Sequence, residues 1–142
     1  MTNGQMKIMV GFNAYFTTDS VIQVAIDHAK AFKAKLIVAT SVVGHSLDKT
    51  GTIANEEAQA RLDRLKASLE MEGIPHEMHL LVRQNNPGED LVNFAKEHKV
   101  DEIIIGFKKR STIGEIVFGS NYRHIIGSAP CPIVTVHIWD DA

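Results

Sequence analysis

The sequence contains a single cysteine, Cys131, which excludes an intramolecular disulfide and a zinc site built on a cysteine cluster. It contains no apolar run close to the roughly 20 residues that cross a bilayer, and residues 1–5 lack the basic-then-apolar order of a secretory signal. It also lacks an excess of either charge: 15 Lys and Arg stand against 17 Asp and Glu, a net charge of −2. Such a balance gives no overall field that would attract nucleic acid. We therefore expect a cytoplasmic protein that binds neither membranes nor nucleic acid.

The remaining composition is that of an ordinary globular protein. Of the 142 residues, 44% are apolar, and this apolar fraction with the small net charge argues against intrinsic disorder. A chain of this length buries about 68% of its unfolded surface on folding, which is enough for a core without covalent staples. We expect one domain over residues 1–142.

Short apolar runs alternate with amphipathic stretches along the chain. Strands are predicted at residues 7–11, 36–43, 76–82, 102–106 and 133–139. Helices are predicted between them, beginning near Asp19, Ala54, Pro87 and Gly119. Strict β-α alternation of this kind predicts a parallel sheet with right-handed crossovers and helices on both faces, an open α/β fold.

Two predicted strands end in glycine, and in open α/β sheets ligands bind at the carboxyl ends of the strands. Gly11 and Gly106 could let a ligand contact main chain that a Cβ would shield. Gly119 and Ser120, at the start of a predicted helix, offer free N–H groups and a hydroxyl to a phosphate. An interpretation without a ligand is equally open at this point. In it, Gly106 is a turn glycine, Gly119 is a packing glycine and residues 108–110 form a solvated basic loop.

The most specific motif lies in the last third of the chain. Gly106 is followed at fixed spacing by Gly119 and Ser120, and then by Ala-Pro-Cys-Pro-Ile-Val-Thr-Val at 129–136. This arrangement resembles the universal stress protein family, whose nucleotide-binding members carry Gly-x2-Gly-x9-Gly-[Ser/Thr]. The likeness continues through the first strand, residues 21–25 and residues 87–91, and so covers nearly the whole chain.

The resemblance implies both a fold and a function. The expected fold is a Rossmann-like, adenine nucleotide alpha hydrolase-like sheet of five parallel strands in the order 3-2-1-4-5. The expected function is that of a regulatory stress-response protein, a cytoplasmic homodimer that binds ATP or a related adenine nucleotide, with or without Mg²⁺. The nucleotide would lie between the first and fourth strands.

The family's nucleotide contacts can be carried over to matching positions of this sequence. Gly11, Asn13 and Ser41 would border the adenosine. The phosphate side would consist of Gly106, Lys109, Gly119, Ser120 and Asn121, with Ile105 preceding them in the fourth strand. The resemblance supplies no catalytic residue and no metal ligand.

This chain departs from the family pattern at two of these positions. Asn13 stands where the family usually has aspartate, and it keeps an acceptor oxygen but loses the charge. Lys109 stands where the second motif glycine belongs, and its Cβ restricts how closely main chain can approach a phosphate. Its ammonium group could instead pair with a phosphate directly.

Other functions remain open from the sequence. A protein-interaction module of the same family that binds no nucleotide would account for Asn13 and Lys109 as signs of a lost site. An enzyme is the least supported class, with slow ATP hydrolysis as its upper limit, because Glu115 is the one carboxylate near the predicted phosphate loop. His76 and His79 have a spacing found in helical metal sites, but residues three apart on a strand point to opposite faces.

The last predicted strand suggests how two copies would associate. Val134, Val136 and Ile138 alternate with Thr135, His137 and Trp139, so both faces of this strand are partly apolar. An exposed terminal strand of that kind pairs readily with another chain. We therefore expect a homodimer formed through the C-terminal strand.

Overall fold

The computed structural model describes residues 4–12, 19–42, 56–82, 86–108 and 120–138. Within these residues the elements follow one another as β1 (Lys7–Gly11), α1 (Asp19–Phe32), β2 (Lys35–Val42), α2 (Glu56–Met71), β3 (His76–Val82), α3 (Pro87–Glu97), β4 (Glu102–Lys108), α4 (Ser120–Ser128) and β5 (Ile133–Ile138). The predicted alternation of strands and helices is confirmed.

The strands form one parallel sheet in the order β3-β2-β1-β4-β5, as expected. β1 lies at its centre, where Ile8 pairs with Leu36 of β2 on one side and with Glu102 of β4 on the other. β-branched and other apolar side chains fill the central strands because both faces of a parallel sheet are covered. No helix in the described part of the chain is both long enough and apolar enough to cross a membrane.

Two apolar layers cover the two faces of the sheet. Alternate residues of β1 separate into them: Ile8 and Val10 pack with α1 and α2, whereas Met9 packs with α3 and α4. The apolar residues of α2 face the core, since Leu65 and Leu69 are buried. Phe32 has the helical spacing of the α1 core residues but is 53% exposed. It is the last residue of α1, and its ring meets His28 edge-on at 5.7 Å instead of entering the core.

Local signals fix two of the helix ends. The side chain of Asn86 accepts a hydrogen bond from the backbone N–H of Glu89 at 2.9 Å, and Pro87 occupies the first turn of α3. After α2, Gly73 has φ +69°, a conformation that L side chains rarely adopt. The first turns of α3 lie against the carboxyl ends of β1 and β2, where Leu91 lies beside Gly11 and Asp90 contacts Ser41.

Candidate functional site

The candidate site lies where the direction of chain winding reverses, between β1 and β4. The two strands are adjacent and parallel, with Val10 paired to Ile104. Gly11 and Ile105 follow these residues, and Gly106 comes one position later, so the three predicted site residues meet at one edge. α1 covers one face of the sheet and α4 the other. In open α/β sheets the carboxyl edge at this switch point is the usual ligand position.

Gly11 has a packing role that the sequence did not reveal. A Cβ built on it would lie 3.2 Å from Cδ1 of Leu91 in α3 and 3.7 Å from Cγ2 of Ile105. The space that glycine leaves here is therefore filled by α3, and a ligand would have to meet the main chain of Gly11 from the sheet edge. The next peptide is held in place, because the N–H of Phe12 donates to the carbonyl of Ala39 at 2.8 Å.

Ser41 lies at the same edge, on the neighbouring strand. Ala39 of β2 pairs with Gly11, so Ser41 extends two residues further along β2 and faces the same side of the sheet as Gly11. Its hydroxyl donates a hydrogen bond to Oδ2 of Asp90 at 3.0 Å. Asp90 lies in the first turn of α3 and is 9% exposed.

Sequence reasoning missed Asp90 as a site residue. Its only signal is an acidic side chain in the first turn of a helix, and that position is common for reasons of helix stability alone. Two adjacent residues of α3 thus contact the ends of two strands. Asp90 accepts a hydrogen bond from Ser41 of β2, and Leu91 packs beside Gly11 of β1.

The structure describes part of the predicted phosphate side, namely β4 and α4. β4 runs to Lys108 at the carboxyl edge, and α4 begins at Ser120 and returns toward the start of β5. The amino end of α4, with Ser120 and Asn121 in its first turn, therefore lies at the edge where Gly11 and Gly106 lie. Helix amino ends carry free N–H groups and a positive dipole end, both of which suit phosphate. The predictions for Asn13, Lys109, Gly119 and Glu115 fall outside the described residues.

Among the described residues, a strong electrostatic perturbation lies elsewhere, at the β3 edge. A side-chain hydrogen bond from Lys35, and a second from His79, lower the pKa of Glu77 from 4.5 to about 2. The ring of His79 also lies 4.9 Å from that of Phe94 on α3, so this histidine is engaged in side-chain contacts on one face of β3. Within the described residues, no group of three or more His, Cys, Asp or Glu side chains could hold a metal ion.

Cys131 lies just before β5 and away from the candidate site. Burial raises the pKa of its thiol, and the carboxylates of Asp101 and Glu102 raise it further. The thiolate fraction is therefore small, and the thiolate is the reactive form of cysteine. This agrees with a structural role.

The protein has an open parallel sheet in this order, with glycines at the central switch point and the amino end of a helix beside them. These features define a Rossmann-like class of α/β protein. Within that class the chain belongs to the universal stress protein family, because the model of the Universal stress protein family matches residues 6–137.

Solved structures of the family superpose closely on this chain. A universal stress protein from Archaeoglobus fulgidus is 29% identical, with a TM-score of 0.72, over 92% of this chain and 98% of that chain. The Archaeoglobus fulgidus universal stress protein in complex with dAMP is 28% identical, with a TM-score of 0.69, over 92% and 97% of the two chains. A universal stress protein in complex with cAMP is 27% identical, with a TM-score of 0.62, over 95% and 98%. No curated protein sequence matches the chain significantly.

Proposed function

We propose that this protein binds an adenine nucleotide at the carboxyl edge between β1 and β4 and acts as a regulatory protein of the stress response. The observation that carries the proposal is the convergence of Gly11, Ile105 and Gly106 at the switch point. Two relatives at 27–28% identity have been solved with dAMP and with cAMP. Both ligands contain an adenine base, a pentose and one phosphate, and these are the parts that we assign to this edge.

The described residues fit such a ligand. The main chain of Gly11 and of Gly106 lies at this edge, and the hydroxyl of Ser41 lies on β2, next to β1. The amino end of α4 provides N–H groups for a phosphate. The sequence carries Lys108 at the end of β4 and Lys109 and Arg110 directly after it. These cations would offset the charge of further phosphates, so ATP is the member of this class that we propose.

The test is to heat-denature freshly purified protein, identify the released small molecules by mass spectrometry, and titrate the stripped protein with ATP and AMP in a calorimeter. We expect an adenine nucleotide near one per chain, or rebinding in the micromolar range, about −8 kcal/mol. An empty protein that gives no heat, and no competition in a second assay, would contradict nucleotide binding. That result would favour an interaction module that binds no nucleotide.

We further propose that the protein is a cytoplasmic homodimer formed through β5. In the described part of the chain β5 is an edge strand that pairs with β4 alone, and Val134 and Val136 on it are half-buried. Thr135→Arg places a charge on an exposed position of that strand, and Ala60→Arg on α2 is the matched control. Sedimentation should give a dimer for the parent protein and for Ala60→Arg, but a weakened dimer for Thr135→Arg. A monomeric parent protein, or a dimer that Thr135→Arg leaves unchanged, would contradict the assignment.

A further inference from the structure

The hydrogen bond between Ser41 and Asp90 restricts what the Ser41 hydroxyl can do for a ligand. A serine hydroxyl carries one proton and two lone pairs, whereas a carboxylate only accepts hydrogen bonds. Because Oγ of Ser41 lies 3.0 Å from Oδ2 of Asp90, the proton of Ser41 is committed to that bond. Toward any other group Ser41 can only accept.

The position of this pair makes the restriction relevant to binding. Ser41 lies two residues beyond the level of Gly11, about 6–7 Å further toward the carboxyl edge. It is half-buried, whereas Asp90 behind it is 9% exposed. Of the two residues, Ser41 is therefore the more accessible to a ligand at the edge.

We propose that Ser41 and Asp90 form an acceptor-only contact that selects a nucleotide presenting an N–H or O–H donor at this position. The inference rests on the proposed nucleotide site and specifies its ligand chemistry. Two parts of an adenine nucleotide supply such a donor, the 6-amino group of the base and a ribose hydroxyl. Ser41 contacts the ligand, and Asp90 is a positioning residue that acts through Ser41.

Base and sugar donors are separated by comparing related probes. AMP and inosine monophosphate differ in the 6-position, where an amino donor is replaced by a carbonyl acceptor. AMP and its 2′-deoxy and 3′-deoxy forms differ in one ribose hydroxyl. Dissociation constants of these four nucleotides are measured by calorimetry for the parent protein and for Ser41→Ala, Asp90→Ser and Ser68→Ala. Ser68 is an exposed serine on α2, on the other face of the sheet, and serves as the matched control.

We expect AMP to bind about tenfold more tightly than the one probe that lacks the donor, because a site that must accept a hydrogen bond rejects an analogue that leaves it unpaired. Ser41→Ala should reduce this ratio to about twofold or less. Asp90→Ser should also reduce it, although Ser41 is present, because a serine at 90 is too short to reach Ser41 and frees its proton to point at the ligand. Ser68→Ala should leave the ratio unchanged.

Each outcome bears on a specific part of the proposal. If the parent protein binds none of the four nucleotides, the proposed function fails and this inference fails with it. If AMP binds but Ser41→Ala changes neither the base ratio nor the sugar ratios, the inference alone is overturned. If Ser41→Ala lowers a ratio and folded Asp90→Ser does not, the role of Asp90 is overturned. Circular dichroism establishes that each variant is folded, and Ser41→Ala decides the ligand contact without reference to Asp90→Ser.

Discussion

A valine at Gly11 should destabilise the fold by overpacking the contact between β1 and α3. The first added atom, Cβ, would lie 3.2 Å from Cδ1 of Leu91, and the methyl groups of valine would extend beyond it. Leu91 is 9% exposed and belongs to the apolar layer under α3, so it cannot move aside without disturbing its neighbours. Overpacking of this kind costs about 2 kcal/mol of unfolding free energy.

The structural cause can be isolated by a double-mutant cycle with Leu91→Ala. Alone, Leu91→Ala should cost about 3 kcal/mol, because it removes a buried side chain and leaves a cavity. In the double variant the valine would occupy part of that cavity, so the combined cost should fall short of the sum by about 1–2 kcal/mol. Gly127→Val is the matched control, since a Cβ at Gly127 meets nothing within 4 Å and should cost little.

The assay is urea denaturation followed by circular dichroism. A loss of about 2 kcal/mol moves the midpoint by roughly 1 M urea for a protein of this size. Strict additivity of Gly11→Val and Leu91→Ala would refute the packing role of Gly11. So would a Gly11→Val variant as stable as the parent protein.

Two further predictions concern stability at named side chains. Glu77→Gln should cost about 0.5–1 kcal/mol at pH 7, a value reduced for screening because the Glu77 side chain is 39% exposed. The pKa of Glu77 is lowered from 4.5 to about 2, so its contribution to stability is present above pH 4.5 and is lost as the pH falls toward 2. The denaturation curves of the parent protein and of Glu77→Gln should therefore converge near pH 2. A difference in stability that stays constant with pH would contradict the assignment. Asn86→Ala should cost about 1 kcal/mol of unfolding free energy, because the N–H of Glu89 loses its capping acceptor and the bond from Nδ2 of Asn86 to Oε1 of Glu89 is also lost. Asn86→Ser loses the second bond but keeps a capping oxygen, so it should retain more of the stability in thermal melts; equal losses in the two variants would contradict a capping role.

The strand and helix segments could be predicted because their signals are local. The apolar run at 102–106 reads as a buried strand, and Pro87 marks a helix start. Strand order is a different matter, since alternation of elements predicts a parallel sheet without saying which strands are neighbours. The order 3-2-1-4-5 came from the family resemblance, and the sheet confirms it.

The chemistry of the candidate site was less accessible to sequence reasoning. Ser41 and Asp90 are 49 residues apart, so nothing in the local pattern of either indicates that they share a hydrogen bond. The sequence predicts an opening for a ligand at Gly11, and only the position of Leu91 reveals that a helix fills the space. Both features depend on how α3 packs on the sheet, which is a tertiary property.

The central claim is that an adenine nucleotide binds at the carboxyl edge between β1 and β4, and an NMR titration of isotope-labelled protein with ATP tests it most directly. We predict that the amide signals of Gly11, Ile105 and Gly106 shift with ATP concentration, whereas those of Gly73 and Asp101, at the amino edge of the sheet, do not. Shifts confined to the amino edge, or no shifts at millimolar ATP, would contradict the account.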